Sequence, residues 1–357
     1  MSFKFNFDID ADGEDVETVG VEITPSIPVE ETSSGSSRIP AQLHSLDELI
    51  AKLPPHIAFS PLSIPLTSSK TITIPRRELF DVKMQLMAED NNPSTNSSQS
   101  FSAAFTDEDI RTNTYEGGLK SWECSSDLVK QLATDSEVWI NSSHRILELG
   151  CGTALPSCYI LQTLLSIPGG DRPVHLTLAD YNIDVLRLVT LPNLILAYLY
   201  ATNSLPSTDP SVTEGAEETP EIELTQNIIS SFLSTLQSHN ITISFLSGSW
   251  SPAMISLIHG GLEYPSTTEE TMYSLLLASE TIYSPSSIPE FVDMIEYTLS
   301  NNNGKGYIAA KDIYFGVGGS VKDFVDMIEQ KRWKWEVVRE EKRGVGVSRV
   351  VGVVCKS

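Results

Sequence analysis

Apolar and polar positions settle into a regular rhythm only from residue 144 onward. Short apolar runs of strand length occur at 144–149, 174–179, 241–246, 273–278, 306–310, 334–339 and 347–354. Helical spacing separates most of them: Phe291, Val292, Met294, Ile295 and Leu299 recur at turns of one helix, and Val321, Phe324, Val325 and Ile328 at turns of another. Alternation of this kind predicts a mostly parallel sheet with helices on both faces. Only the charged, glycine-containing link 340–346 joins the last two runs. That is too short for a crossover helix, so they must pair as an antiparallel hairpin. The expected fold class is therefore α/β, a doubly wound, seven-stranded, mostly parallel sheet ending in a C-terminal antiparallel hairpin.

Upstream the rhythm is weaker. Ser45, with Glu48 three positions on, has the form of a capping box, and Leu46, Leu49, Ile50 and Leu53 follow at helical spacing until Pro54 and Pro55. Residues 41–100 read as an N-terminal extension with short helices, and 101–357 as the main domain. Residues 1–40 carry nine acidic side chains from Asp8 to Glu31 against only Lys4 and Arg38. Such a segment buries too little apolar surface to offset its ordering entropy and is expected to be a disordered acidic tail. Within it Phe3, Phe5 and Phe7 alternate as in a short docking strand. Residues 202–226, acidic and rich in Pro and Ser, read as a mobile insertion. The longest apolar stretch, 186–200, is interrupted by Pro192 and Asn193, and no membrane span is expected. The first residues lack the apolar run of a signal peptide.

Charge and cysteine usage narrow the function classes. Lys and Arg number 24 against 47 Asp and Glu, a formal net charge of −23. A surface this acidic repels phosphate backbones and attracts basic partners, so direct nucleic-acid binding is disfavoured. Cys124, Cys151, Cys158 and Cys355 have neither C-x-x-C spacing nor an accompanying histidine cluster, so no metal site is expected. Scattered free thiols of this kind suit a reducing compartment.

The residues with chemical promise lie at the ends of the predicted strands. In RILELGCGTALPS (145–157) a strand runs into Gly150, Cys151 and Gly152 and then into a helix. Leu155 stands where a pyrophosphate fingerprint has its third glycine, and no Lys-Ser or Lys-Thr follows, so a ligand without a pyrophosphate fits better. Asp180 ends the next strand, where a carboxylate can accept both hydroxyl hydrogens of a ribose or, alternatively, cap the helix that follows. YEGGLKSWECSSDL (115–128) places Trp122 just upstream of the first strand, as a rim for a cationic or aromatic ligand or as a buried core residue. Gly248, Ser249 and Trp250 follow the third strand; Ser279, Glu280 and Tyr283 follow the fourth, where a substrate would enter.

Taken together these segments resemble the seven-strand S-adenosylmethionine-dependent methyltransferases, and within them the eukaryotic protein-histidine methyltransferases. The resemblance is carried by FKFNF (3–7), PRRELFDVKMQLM (75–87), YEGGLKSWECSSDL, ILELGCGTALPS, DYN (180–182), GSW (248–250) and ASETIY (278–283). It implies a Rossmann-like methyltransferase fold and transfer of a methyl group from S-adenosyl-L-methionine to a histidine ring nitrogen of a large-subunit ribosomal protein. It implies cofactor contacts at Lys120, Ser121, Trp122, Glu123, Cys124, Ser125, Gly150, Gly152, Asp180, Tyr181, Asn182, Gly248, Ser249, Trp250 and Ser279. Glu148 stands where such enzymes often carry Asp, a change expected to alter binding little.

The chemistry agrees with a histidine acceptor. With a pKa of about 6.5, histidine is roughly three quarters neutral at pH 7, whereas lysine at about 10.4 must first lose a proton. Histidine transfer thus calls for positioning and for the correct tautomer. Glu280 is the candidate catalytic residue: its carboxylate can accept the N–H of one ring nitrogen and leave the other free. A monomer in cytoplasm and nucleus, with a basic ribosomal protein as partner, completes the expectation. The other readings are a lysine-directed enzyme of the same fold, with Tyr283, Trp250 and Tyr314 as an aromatic slot, and a non-catalytic acidic escort of a ribosomal protein.

Overall fold

In the computed structural model, residues 38–90, 117–142, 145–168, 173–206, 219–261, 269–342 and 347–356 are described. The described strands are β1 (Gln42–His44), β2 (His56–Pro65), β3 (Thr71–Arg77), β4 (Arg145–Leu149), β5 (Val174–Asp180), β6 (Glu221–Glu223), β7 (Ile241–Ser247), β8 (Leu275–Ser279), β9 (Lys305–Lys311), β10 (Lys334–Glu341) and β11 (Arg349–Cys355). The main sheet has the order β1-β7-β5-β4-β8-β9-β11-β10. The five strands from β7 to β9 in that order run parallel, and β9, β11 and β10 pair antiparallel. All seven strands expected from the sequence are present within a few residues, and the terminal hairpin is formed. From β4 the chain winds outward through β5 and β7, then returns to the other side of β4 through β8 and β9. The crevice at that switch point, above the carboxyl ends of the strands, is where such sheets bind ligands.

Alternating residues of the central strands feed two cores. Ile146, Leu176, Phe245, Leu277 and Ala309 enter one face. Leu147, Leu149, Leu276, Ala278 and Ile308 enter the other, against Phe291, Met294 and Phe324 of the two helices recognised by their spacing. Those helices are Ile288–Thr298 and Val321–Gln330.

Four expectations are corrected. The sheet has an eighth strand: β1 pairs antiparallel with β7, Leu43 opposite Leu246, and buried His44 reaches Ser247 Oγ through Nε2 at 2.8 Å. Three residues are too few to show a period, so the sequence gives no strand signal there. Second, the described part of the extension, 41–90, holds strands beside the two short helices Leu46–Ile50 and Leu79–Asp90. The helix after Ser45 exists, with Ser45 Oγ accepting from the Glu48 N–H, but it spans only Leu46–Ile50. The rest includes β2 and β3, which with β6 form a three-stranded sheet. Third, the insertion placed at 202–226 is ordered at its end. Residues 207–218 lie outside the described residues, but Ile222 of β6 pairs with Ile57 of β2, and Thr225 caps the helix Gln226–Ser238. From Arg38 onward the described residues form one compact unit. The disordered tail expected for 1–40 and its Phe3, Phe5 and Phe7 motif lie outside the described residues as far as residue 37.

The fourth correction concerns Pro192. The apolar stretch is not broken there but forms a helix over Ile183–Ala201, long and apolar enough by length and composition to cross a membrane. Leu191, Leu194, Ile195, Leu196 and Ala197 are fully buried in the fold, so core packing accounts for that apolarity. A π turn at Leu186–Thr190 precedes the α-helical Leu191–Ala201, and Pro192 falls in the first turn of that second part, where a missing N–H is tolerated. The turn also aims two polar side chains at the glycine loop. Thr190 Oγ1 donates to the Gly152 carbonyl at 2.6 Å, and Asn193 Nδ2 donates to the Thr153 carbonyl at 2.9 Å. Asn193 Oδ1 accepts from the Arg77 N–H at 2.7 Å, so one buried amide links the end of β3 to the loop.

Asn193→Ala leaves a buried N–H and a buried carbonyl without partners. At about 1–3 kcal/mol for each, the expected loss is roughly 2–5 kcal/mol of stability, read from the urea midpoint at unchanged m-value. A midpoint within a few tenths of a molar of wild type would remove Asn193 from the support of the loop.

Candidate active site

A cavity of about 630 Å³ opens over the carboxyl ends of the parallel strands. Its floor is the turn from β4 into the helix Leu155–Ser166. Gly150 and Gly152 have φ of 61° and 51°, which a side chain rarely adopts, and Ala154 at 53° closes the turn in the same region. A Cβ on Gly152 would stand 3.2 Å from the carbonyl oxygen of Gly118, and one on Gly118 would come within 2.8 Å of Val185. Gly118 therefore lies directly against the glycine loop.

Asp180 ties the glycine loop to the turn that follows β5. Its Oδ2 accepts from the Gly152 N–H at 2.9 Å, and its Oδ1 accepts from the Asn182 N–H at 3.2 Å at the start of the next helix. The residue lines the cavity.

Most of the other sequence-derived residues meet here. Lys120, Trp122, Glu123, Ser125, Gly150, Gly152, Tyr181, Gly248, Ser249, Trp250, Ser279 and Glu280 line the cavity. Ser121, Cys124 and Asn182 do not. Ser121 Oγ lies 3.0 Å from Thr153 Oγ1 and steadies the loop, whereas Cys124 and Asn182 are buried behind the wall. Tyr115 and Glu116 of the same motif lie outside the described residues. The Trp122 indole N–H donates to the Gly117 carbonyl at 2.9 Å, which fixes its ring. Trp250 packs on Phe291 with ring centroids 5.1 Å apart.

Gly248, at φ 116°, lies so close to the chain at Pro40 that a Cβ would come within 2.5 Å of the Pro40 carbonyl. Ser249 donates twice to the Ile39 carbonyl, from its N–H at 3.0 Å and its Oγ at 2.9 Å. Arg38 lines the cavity and pairs with Glu290 at 2.8 Å. Residues 38–40, read from composition as the end of the tail, thus belong to the site.

Glu280 follows β8 at φ 57° and is held by its N–H donating to the Ala309 carbonyl at 2.9 Å. Its side chain is 9% exposed, and Oε1 has no hydrogen-bond partner among the described residues. Lys311 Nζ stands 3.6 Å from Oε1 and lies over the rings of Trp122 and Tyr314, 5.4 and 5.9 Å from their centroids. Burial and the neighbouring Glu280 carboxylate push both the Cys124 thiol and the Tyr314 hydroxyl well above their ordinary range, so both stay neutral. Tyr283 meets Tyr314 edge-on at 6.4 Å. The result is an aromatic-walled recess with one carboxylate and one ammonium.

Lys311, Arg38, Thr281 and Arg349 are lining residues that sequence reasoning missed. Lys311 was within reach: it ends β9, a strand in the same parallel series, and strand ends are what singled out Asp180 and Glu280. Arg349 carries no such signal, because its place comes from the antiparallel β11 and a buried pair with Asp127 at 2.6 Å.

Glu148 proves unlike an ordinary strand residue. It is fully buried under the glycine loop, and Ser157 donates to its Oε2 from both N–H and hydroxyl. Burial nevertheless pushes its carboxyl up to about 8, with the negative Asp180 adding to the push. The folded protein thus holds a proton that the unfolded chain releases near pH 4.5. Stability from this group is complete below that pH and is lost as pH rises toward 8, by roughly 1.4 kcal/mol per unit. Glu148→Gln is expected to flatten that slope in pH-dependent urea melts and to exceed wild type in stability at pH 8. Parallel curves for the two proteins would show that Glu148 does not carry the proton.

No family model matches the chain. Among known proteins it is 39% identical to histidine protein methyltransferase 1 of Saccharomyces cerevisiae, over 72% of this chain and 68% of that protein. It is 34% identical to the protein of the same name in Schizosaccharomyces pombe, over 92% of this chain and 85% of that one. It is 29% identical to a bovine homologue over 74% and 62%. Among solved structures, the methyltransferase domain of bacterial CtHen1-C aligns with a TM-score of 0.36 at 14% identity, over 65% of this chain and 98% of that chain. With the two yeast proteins matched across most of their length, and the glycine loop and Asp180 in place at the switch point, the chain is a methyltransferase and belongs to the histidine protein methyltransferase 1 family.

Proposed function

We propose that the protein transfers a methyl group from S-adenosyl-L-methionine to a ring nitrogen of one histidine in a basic protein of the large ribosomal subunit. The observation that carries this proposal is one cavity with two unlike halves: a glycine loop tied to Asp180, and an aromatic recess around Glu280. The first half fits a nucleoside-containing donor. Its glycines form a tight turn at φ of 61° and 51° packed against Gly118 and Thr281, and Asp180 lines the cavity at the end of β5, where a ribose would lie. Gly150, Gly152, Asp180, Tyr181, Gly248, Ser249 and Ser279 would hold the donor, with Trp122 beside it. When bound, that donor supplies an electrophilic methyl group on a positive sulfur.

The chain's own residues then act on the acceptor. Glu280 Oε1 accepts the N–H of one imidazole nitrogen, which fixes the tautomer and turns the other lone pair into the cavity. As the ring takes on positive charge, the same carboxylate stabilises it in a site largely shielded from water. Lys311 bears on the choice between histidine and lysine. A protonated lysine would bring a second ammonium to a recess that already holds one 3.6 Å from Glu280, whereas a neutral imidazole meets no such repulsion. The aromatic rings of Tyr283, Trp250 and Tyr314 would otherwise suit a lysine slot. The net charge of −23 suits a basic protein partner. The enzyme is proposed to act as a monomer in cytoplasm and nucleus. Incubation with labelled donor and large-subunit ribosomal proteins, followed by mass-spectrometric location of the label, tests the proposal; label on lysine alone, or on no protein, would sink it.

Asp180→Ala is expected to weaken S-adenosylmethionine binding by about 1.5–3 kcal/mol in calorimetry, the range for hydrogen bonds to a charged group. An unchanged dissociation constant would leave Asp180 a structural role at the glycine loop.

Glu280→Gln keeps the shape of the side chain and removes its charge. Turnover of the protein acceptor should fall roughly 100-fold, while donor affinity stays within a few-fold of wild type. Turnover within a few-fold of wild type would take the catalytic role away from Glu280.

A further inference from the structure

Between β9 and the helix Val321–Gln330 the chain makes a turn that exposes large apolar side chains at the mouth of the cavity. Phe315 is 77% exposed, Ile313 49% and Val317 40%, and all three line the same cavity as Glu280. Single exposed apolar residues are ordinary, but three converging on the rim of a site are a docking signal.

The turn is firmly built. Tyr314 N–H donates to the Gly319 carbonyl at 2.9 Å, Gly318 N–H to the Tyr314 carbonyl at 2.9 Å, and Gly319 N–H to the Tyr283 carbonyl at 2.9 Å. Ile313 and Ser320 form an antiparallel bridge. Gly316 and Gly318 take φ of 83° and 93°, and a Cβ on Gly319 would stand 2.2 Å from the Ile282 carbonyl. A segment so closely bonded to the residues after Glu280 could readily have turned its phenylalanine inward. Instead Tyr314 points in, with its hydroxyl beside Glu280, and the next residue stands out in solvent.

We infer that Phe315, with Ile313 and Val317, is the docking platform for an apolar side chain of the acceptor protein, carried within a few residues of the histidine that enters the recess. The inference rests on the proposed function and deepens it. The occupant follows from continuity. Tyr314 and Phe315 are adjacent along the chain, about 3.8 Å between Cα atoms, so the recess and the platform are neighbouring parts of one surface. An extended acceptor segment advances about 3.3–3.6 Å per residue; with its histidine against Glu280, residues one to three positions away lie over the platform. Apolar contact there supplies affinity that a lone imidazole lacks and selects which histidine is presented.

The test compares wild type with Phe315→Ala, Phe315→Asp and Phe315→Leu on large-subunit ribosomal proteins extracted from cells lacking this enzyme, with calorimetry of S-adenosylmethionine and light scattering alongside. Phe315 is exposed, so all three variants should fold as wild type. Burying a phenylalanine is worth roughly 10- to 100-fold in affinity, so Phe315→Ala should lower kcat/KM for histidine labelling by about that factor, chiefly through KM. Phe315→Asp should lower it further, Phe315→Leu should recover most of it, and donor affinity should not move. Equal kcat/KM for wild type and Phe315→Ala overturns the platform while leaving the proposed function intact. A wild-type dimer that Phe315→Asp converts to monomer overturns it too, by assigning the patch to self-association. If wild type itself labels no histidine, the proposed function fails and the platform falls with it.

Discussion

The hydrogen bond from the Gly152 N–H to Asp180 Oδ2 is the contact on which the site is built. It joins the ends of β4 and β5, the two strands on one side of the switch point, and holds the loop open toward the cavity. On the loop's other side Thr190 takes the Gly152 carbonyl and Asn193 the Thr153 carbonyl, so the backbone polar groups at the turn are met from two directions. The positive φ values at Gly150, Gly152 and Ala154 persist because these contacts over-determine them. Preorganisation of this kind leaves little conformational freedom to be lost when a ligand settles on the loop.

The second half of the cavity follows a different logic. Glu280, Lys311 and Tyr314 come from the ends of two neighbouring parallel strands and the turn after one of them, and their charges nearly balance. Burying a lone carboxylate so deeply would be costly; an ammonium 3.6 Å away, itself held over two aromatic faces, reduces that cost without consuming Oε1. A carboxylate that is compensated but still has a free lone pair is suited to receive an imidazole N–H.

Much of this was legible in the sequence. The period of apolar positions gave the seven-strand order of elements, and glycine and carboxylate at strand ends marked the floor of the cavity. What escaped depended on contacts between distant segments. β1 and β6 are three-residue strands whose only justification is a partner far along the chain. Pro192 looked like a break because the π turn that accommodates it has no sequence signature of its own. Arg38 sat in an acidic, Ser-rich stretch whose average composition hid the few residues that lie against Gly248 and Ser249. Cys124 and Asn182 carried motif resemblance yet are buried and do not line the cavity, since a motif marks a neighbourhood and not the exposure of each side chain.

The pairing of β1 with β7 also sets an order of events during synthesis. Gln42–His44 leaves the ribosome before its partner strand, which is made about two hundred residues later, roughly ten to forty seconds at translation rates of about 5–20 residues per second. Until then β1 has no strand to pair with, and β2, with its apolar Ile57 and Phe59, has only β3. Over that interval the nascent chain carries the β7-facing edge of β1 and the β6-facing edge of β2 unpaired, and the cavity wall at Arg38 is completed only when partners more than two hundred residues away have been made.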